Sequence, residues 1–330
     1  MKRRDFLKCS AGFSAVILCG SALGCMTTGS TVDKSSGAVR GERLEVPHSN
    51  GSDPPRTAAP VGATDCHIHI FDPRFPRAVK LAANVPVWGT VADYRLLQRR
   101  LGLSRVVMVS PSSYGFDNSC LVNALDTLGD KARGIAVFKI DVPDAELDRL
   151  HAHGVRGIRL YIEKGRTKPE ELSTFARRIS RLGWHIQLVV GREPNKLVEV
   201  EKYLTGLPCP LVIDHFGYVP QPDGVRHPGV SVLRRLLDKG NTWIKLSGVY
   251  IRSKVGYPTY SDVNELAIDL VRSAPERMLW GTDWPHTGVK DRKVVPDSAM
   301  LFDQLAIWSP DENVRRRILV ENPQRLYWSA

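Results

Sequence analysis

Three short motifs in this chain carry side chains able to do chemistry. Asp65-Cys66-His67-Ile68-His69 sets two imidazoles two residues apart, and Asp214-His215-Phe216-Gly217 puts a carboxylate beside a third. Gly281-Thr282-Asp283-Trp284-Pro285-His286 offers a further carboxylate. Imidazoles can donate hydrogen bonds to a carbonyl or ligate a metal, and a carboxylate is ionised at neutral pH and can accept a proton from water. Such a set suits hydrolysis of a small acyl compound. A lone histidine or aspartate is more often a structural hydrogen-bonding residue, so the weight of these motifs depends on whether the fold brings them together.

From residue 62 onward, short apolar runs alternate with longer amphipathic ones, the pattern of repeated βα units on a parallel sheet. Strands are expected at 63–71, 105–110, 134–140, 157–162, 185–190, 211–214, 243–246 and 278–281. Helices are expected at 91–101, 118–128, 143–153, 169–182, 195–204, 229–239, 261–273 and 298–307, with one more near 311–321. Eight such units over residues 61–330 predict an α/β fold, a single (β/α)8 TIM barrel. A doubly wound open sheet is the alternative, but no GxGxxG follows a predicted strand. In a barrel the loops after the strands converge on one mouth, and the three motifs end strands 1, 6 and 8. His67 and His69, at i and i+2 on a strand, share a face and point inward. His185 opens its strand and faces the opposite end, which makes it structural. His48, His151, His153 and His227 read as exposed, and His286 as a neighbour able to support the site.

These motifs, with the closing Glu321-Asn322-Pro323-Gln324-Arg325-Leu326-Tyr327, resemble the amidohydrolase superfamily, and within it the 2-pyrone-4,6-dicarboxylate lactonase and sugar-lactonase branch. The resemblance implies that Asp283 takes the proton from the attacking water and that His67, His69 and His215 surround the substrate carbonyl. Many metal-dependent members place a bridging lysine on strand 4 and a metal-binding histidine on strand 5, and neither is evident here. That argues against a two-metal site, and the resemblance to the lactonase branch implies metal-free opening of a lactone ring. The alternative is a single Zn²⁺ on His67, His69, His215 and Asp283, a nitrogen and carboxylate set that suits zinc, in an amidohydrolase or decarboxylase. A different alternative is an inactive receptor for anionic solutes.

An acidic substrate calls for cationic clamps. Arg159, Arg166 and Arg252 lie on predicted mouth segments, and guanidinium groups bind carboxylates bidentately. Ser112 and Tyr114, in Ser110-Pro111-Ser112-Ser113-Tyr114-Gly115, resemble the branch's substrate loop. The formal net charge of +11 suits anionic ligands. Its basic residues are not interleaved with aromatics as nucleic-acid binding would require, so no nucleic-acid partner is expected.

Residues 1–25 carry the pair Arg3-Arg4 followed by Phe6-Leu7-Lys8 and an apolar stretch from Cys9 to Leu23, which resembles a twin-arginine export signal. Ala22-Leu23-Gly24-Cys25 resembles a lipoprotein cleavage box, so a periplasmic protein with a lipid anchor at Cys25 is expected, delivered by the twin-arginine machinery. Residues 26–60, rich in Ser, Thr, Gly and Pro, read as a flexible linker. Cys66, Cys120 and Cys209 lack CxxC spacing and are odd in number, which predicts buried free thiols. Replacing Arg3 and Arg4 by Lys should strand the precursor in the cytoplasm. Cell fractionation checks this, and normal periplasmic yield would refute the signal.

Overall fold

The computed structural model describes residues 32–33, 37–78, 88–289 and 291–329. The expected signal and Cys25 lie outside these. Eight parallel strands follow one another: β1 (Thr64–Ile68), β2 (Arg105–Val109), β3 (Ala132–Ala136), β4 (Val155–Tyr161), β5 (His185–Val189), β6 (Leu211–Ile213), β7 (Thr242–Leu246) and β8 (Met278–Trp280). Each pairs with its neighbours in chain order. Between and after them run α1 (Val91–Leu101), α2 (Ser119–Leu128), α3 (Asp144–Ala152), α4 (Leu172–Ser180), α5 (Lys196–Leu204), α6 (Pro228–Asp238), α7 (Asn264–Ser273), α8 (Ser298–Trp308) and α9 (Glu312–Arg316). This is the (β/α)8 barrel that the alternation predicts.

The elements start where local chemistry permits. Thr90 accepts from the Asp93 amide while the Asp93 carboxylate accepts from the Thr90 amide, a reciprocal cap that opens α1. Pro228, without an amide proton, occupies the first turn of α6. Along the strands alternate residues divide between two cores. Ile186, Leu188, Ile213 and Ile244 pack outward under the helices. Cys66, Val107, Val109, Ile135, Val212, Trp243 and Leu279 fill the barrel, and Tyr327 plugs its lower end. In β1 the register shifts between Asp65 and Ile68. That irregularity lets Cys66 and His67 both face inward, as a bulge does when it re-aims a side chain.

Closure of the barrel depends on few bonds. β8 meets β1 through the His67 carbonyl, which accepts from the Asp283 amide at 2.8 Å, and through His69, whose amide donates to the Trp284 carbonyl at 2.8 Å. Below this, the buried Asp65 carboxylate accepts from the Thr282 amide (3.0 Å), the Thr282 hydroxyl (2.6 Å) and the His67 amide (3.1 Å). The approach is close enough that a Cβ on Gly281 would lie 2.7 Å from the His67 nitrogen, so only glycine fits.

Two expectations need correction. Residues 37–60, part of the expected flexible linker, lie against the barrel. The buried Arg100 of α1 donates to the carbonyls of Asp53 (2.9 Å) and Asn50 (2.9 Å) and to Asp297 (2.8 Å). Its guanidinium supplies donors to the segment's carbonyls, while Val46 and Ala59 join the outer apolar core. The four histidines read as exposed are also engaged. His227 is buried and accepts from the Gly229 amide at 3.1 Å, and His151 accepts from Trp184 Nε1 at 2.9 Å. His153 Nδ1 lies 2.7 Å from Asp126, and His48 Nε2 lies 2.7 Å from the Trp88 carbonyl. Cys66, Cys120 and Cys209 are buried free thiols.

Thr282→Val keeps the side-chain shape and removes a hydrogen bond to a buried carboxylate. Stability should fall by about 1.5–3 kcal/mol, read from the midpoint of urea unfolding at constant slope.

Candidate active site

At the barrel mouth, β1, β6 and the segment after β8 bring together His67, His69, His215, Asp214 and Asp283, all buried. The His67 and His69 rings meet edge to face with centroids 5.0 Å apart, and the His67 and His215 rings lie 4.7 Å apart. His67 Nε2 lies 3.5 Å and His69 Nε2 3.6 Å from the same Asp283 oxygen, Oδ1. The other oxygen, Oδ2, accepts a short hydrogen bond from the Tyr250 hydroxyl. The supporting backbone is strained. Asp283 has φ 60°, and His215 and Phe216 have φ 52° and 53°, left-handed values that non-glycine residues adopt only where packing enforces them.

Proton positions follow from the partners. His69 Nδ1 lies 2.8 Å from the Val109 carbonyl, which can only accept, so Nδ1 carries a proton. Neutral His69 therefore presents a lone pair at Nε2 and donates from it only as imidazolium. Burial first, and then Lys245, hold His67 well below the usual histidine range, so it is neutral. His67 Nδ1 faces Asp214 Oδ1 at 3.4 Å, while its Nε2 has no hydrogen-bond partner among the described residues. Burial works to raise the Asp283 carboxyl, but His215, His69 and His67 together overcome it and keep the group ionised. Two imidazole nitrogens thus confront one carboxylate oxygen at distances that leave room for a proton or a cation between them.

His67, His69 and Asp283 have ligand atoms close enough to hold one metal ion, and so have His67, Asp214 and His215. The unpartnered His67 Nε2 and the two-nitrogen, one-oxygen donor set fit a zinc-like ion.

Beneath this group lies a charge network that motif reading missed. Arg159 donates from Nε (3.1 Å) and Nη2 (2.9 Å) to Asp214 Oδ2, and Gln187 Nε2 donates to the same oxygen at 3.2 Å. Lys245, fully buried on β7, donates to Gln187 Oε1 at 2.6 Å and sits 3.5 Å from His67 Nδ1. Burial brings its ammonium down to about 8, opposed by Asp214. Burial would raise Asp214, but Arg159 and His67 hold it well below the carboxylate range. A signal for Lys245 existed: it is a charge in mid-strand, two residues from the inward Trp243. Gln187 stands in the same relation to His185. Tyr250 had no such mark.

The expected clamps fare unevenly. Arg159 is already committed to Asp214. Arg252 is half-buried and spends Nη1 on the Arg192 carbonyl at 2.8 Å. Arg166 and Ser112 are exposed and line a cavity beside the site. Tyr114 was expected to meet substrate, but it is buried and its hydroxyl accepts from the Asp72 amide at 3.0 Å, tying the loop after β1 to the loop after β2. His286, also buried, meets Ser298 Oγ at 3.1 Å, and its ring lies 5.6 Å from that of Tyr250. It therefore backs the tyrosine that binds Asp283. His185 is fully buried at the start of β5, with its ring 5.3 Å from Tyr327, away from the mouth.

Residues 64–328, the whole barrel, match the family described as Amidohydrolase. The chain belongs to the amidohydrolase family. It is 36% identical over 287 residues to a 2-pyrone-4,6-dicarboxylate hydrolase of Comamonas testosteroni, covering 83% of this chain and 92% of that relative. It is also 36% identical over 276 residues to a 4-sulfomuconolactone hydrolase of Rhizobium radiobacter, covering 82% and 91%. Among solved structures it resembles a probable 2-pyrone-4,6-dicarboxylic acid hydrolase from Acinetobacter baumannii with citric acid bound, at TM-score 0.70 and 25% identity, over 81% of this chain and all of that one. The matched span covers β1 through β8 and every member of the histidine and aspartate group.

Arg159→Met would leave the Asp214 carboxylate buried without its main counter-charge. Unfolding by urea should show a loss of about 3–5 kcal/mol, the cost of breaking a buried ion pair from one side. A change below about 1 kcal/mol would mean that Arg159 is free to serve substrate.

Proposed function

We propose that this amidohydrolase opens the ring of a small anionic lactone, with Asp283 accepting the proton of the attacking water. One observation carries the reading: an ionised carboxylate oxygen faced by His67 Nε2 at 3.5 Å and His69 Nε2 at 3.6 Å at the mouth of the barrel. The relatives named above, hydrolases of a dicarboxylated pyrone and of a sulfonated lactone, support the substrate class. A compound resembling 2-pyrone-4,6-dicarboxylate or a sugar-acid lactone meets the description.

The water oxygen bonds to the lactone carbonyl carbon, and its proton passes to Asp283. Charge then gathers on the carbonyl oxygen, where a histidine N–H stabilises it, His69 doing so from Nε2 only in its imidazolium form. The ring C–O bond breaks, the ring oxygen takes the proton from Asp283, and the new carboxylic acid releases its remaining proton to solvent, leaving a carboxylate. Tyr250 steers Asp283 by holding Oδ2, which leaves Oδ1 toward the imidazoles. In this reading no metal is required.

The unpartnered His67 Nε2 favours a second form of the same reading. His67, His69 and Asp283 would hold a divalent ion, with His215 beside it, and such an ion when bound supplies a Lewis acid for the carbonyl or lowers the pKa of a bound water. For location we propose export to the periplasm with an anchor at Cys25, supported by the Arg3-Arg4 signal and the residues before that cysteine.

The test is turnover of carboxylated lactones by the purified protein before and after exhaustive chelation. Asp283→Asn should lower kcat by about 10²–10⁴-fold, the usual contribution of a positioned general base, with KM little changed. Turnover that survives chelation supports the metal-free form. Loss with metal content and return on adding Zn²⁺ supports the other, and absence of turnover on every lactone overturns both.

A further inference from the structure

A cavity of ≈ 700 Å³ opens beside the histidine and aspartate group, between the loops that follow β2, β3 and β4. It shares Arg159 with the catalytic network, and Tyr161, on which the Arg159 guanidinium lies 5.1 Å from the ring centre, also lines it. Its size falls within the roughly 300–1,000 Å³ of pockets that bury drug-sized ligands, more than a lactone ring with two carboxylates would fill. The walls are apolar: Phe138, Leu160 and Phe175 are buried, and Phe138 and Phe175 pack against each other with ring centres 6.3 Å apart. Phe116, by contrast, is 55% exposed at the cavity edge.

Two cations stand on the same lining. Lys139 Nζ lies 5.6 Å from the Phe116 ring centre, and the Arg166 guanidinium lies 5.7 Å from that of Tyr161. Both are exposed, and among the described residues neither is held in a salt bridge. Of the acids on the lining, Glu171 is turned toward Lys168 and accepts from its amide at 2.9 Å, leaving Asp141 as the opposing charge. An apolar chamber with cations on aromatic faces at its edge suits a ligand with an apolar body and an anionic end.

We infer that this cavity receives an aryl or branched-alkyl substituent of the substrate, so that the natural lactone is a carboxylated one bearing such a group rather than the bare ring. Lys139 and Arg166 then meet the substrate's carboxylate, and Phe116 covers the substituent. The inference rests on the lactone-hydrolase reading for its chemistry, but the binding it describes can be measured separately.

The experiment compares a carboxylated lactone with the same lactone bearing a phenyl group, using the full-length protein and Ile140→Trp, which intrudes into the cavity from its half-buried lining position. The phenyl lactone should show kcat/KM at least about tenfold higher, since burying a ring removes a large apolar surface from water. Ile140→Trp should erase that preference by lowering kcat/KM for the phenyl lactone at least about tenfold more than for the bare lactone, the melting temperature confirming an intact fold. Equal kcat/KM for the two lactones, or an equal loss on both in Ile140→Trp, overturns the inference. If neither lactone is turned over, the hydrolase reading fails and calorimetry with 4-phenylbutyrate decides the cavity. Binding weakened about tenfold by Ile140→Trp, and also weakened by Lys139→Glu, sustains the assignment. No binding to the unaltered protein, or binding that both variants leave unchanged, ends it.

Discussion

Two carboxylates, Asp214 and Asp283, lie almost wholly out of water at the mouth of this barrel, and much of the structure can be understood as what keeps them charged there. An isolated ion in such a place would neutralise itself or unfold its surroundings. Asp214 is held by a two-pronged Arg159 and by Gln187, and Lys245 stands behind that glutamine. Asp283 has Tyr250 on one oxygen and two imidazoles near the other. The strands that carry these partners are β4, β5 and β7, so the paired charges tie most of the barrel's circumference to one point.

The seam of the barrel serves the same end. The hydrogen bonds that join β8 to β1 involve the backbone of His67, His69, Asp283 and Trp284, the residues whose side chains form the site or flank it. Closing the barrel and assembling the site are therefore one event, and Asp65 with Thr282 secures both from below. The left-handed backbone at His215 and Asp283 is tolerable on such a base, because a rigid closed sheet can hold residues in conformations that a free loop would abandon.

Electrostatic balance also divides labour among the arginines. Arg159, nearest the buried acids, is consumed by the structure, whereas Arg166 remains on an accessible lining with Lys139. Positive charge available to an anionic substrate thus sits at the flank of the mouth rather than at its floor, next to apolar walls.

The sequence by itself determined the barrel, because short apolar runs alternating with amphipathic helices admit few other packings, and the three motifs at strand ends were local enough to be seen. It also marked His67, His69, His215 and Asp283 as a group. What only the tertiary structure decided were relations between distant residues. Arg159 and Asp214 are 55 residues apart, and Lys245 reaches His67 across 178. No spacing rule reveals such pairings, because each depends on the barrel's closure and on which inward side chains share a layer. The same limit explains the misreadings. Tyr114 bears a polar hydroxyl on a mouth loop, as a substrate residue would, and only packing turns it inward to Asp72. Residues 37–60 have the composition of a tether, and they are ordered by donors from Arg100, a residue of the barrel that their own sequence does not contain.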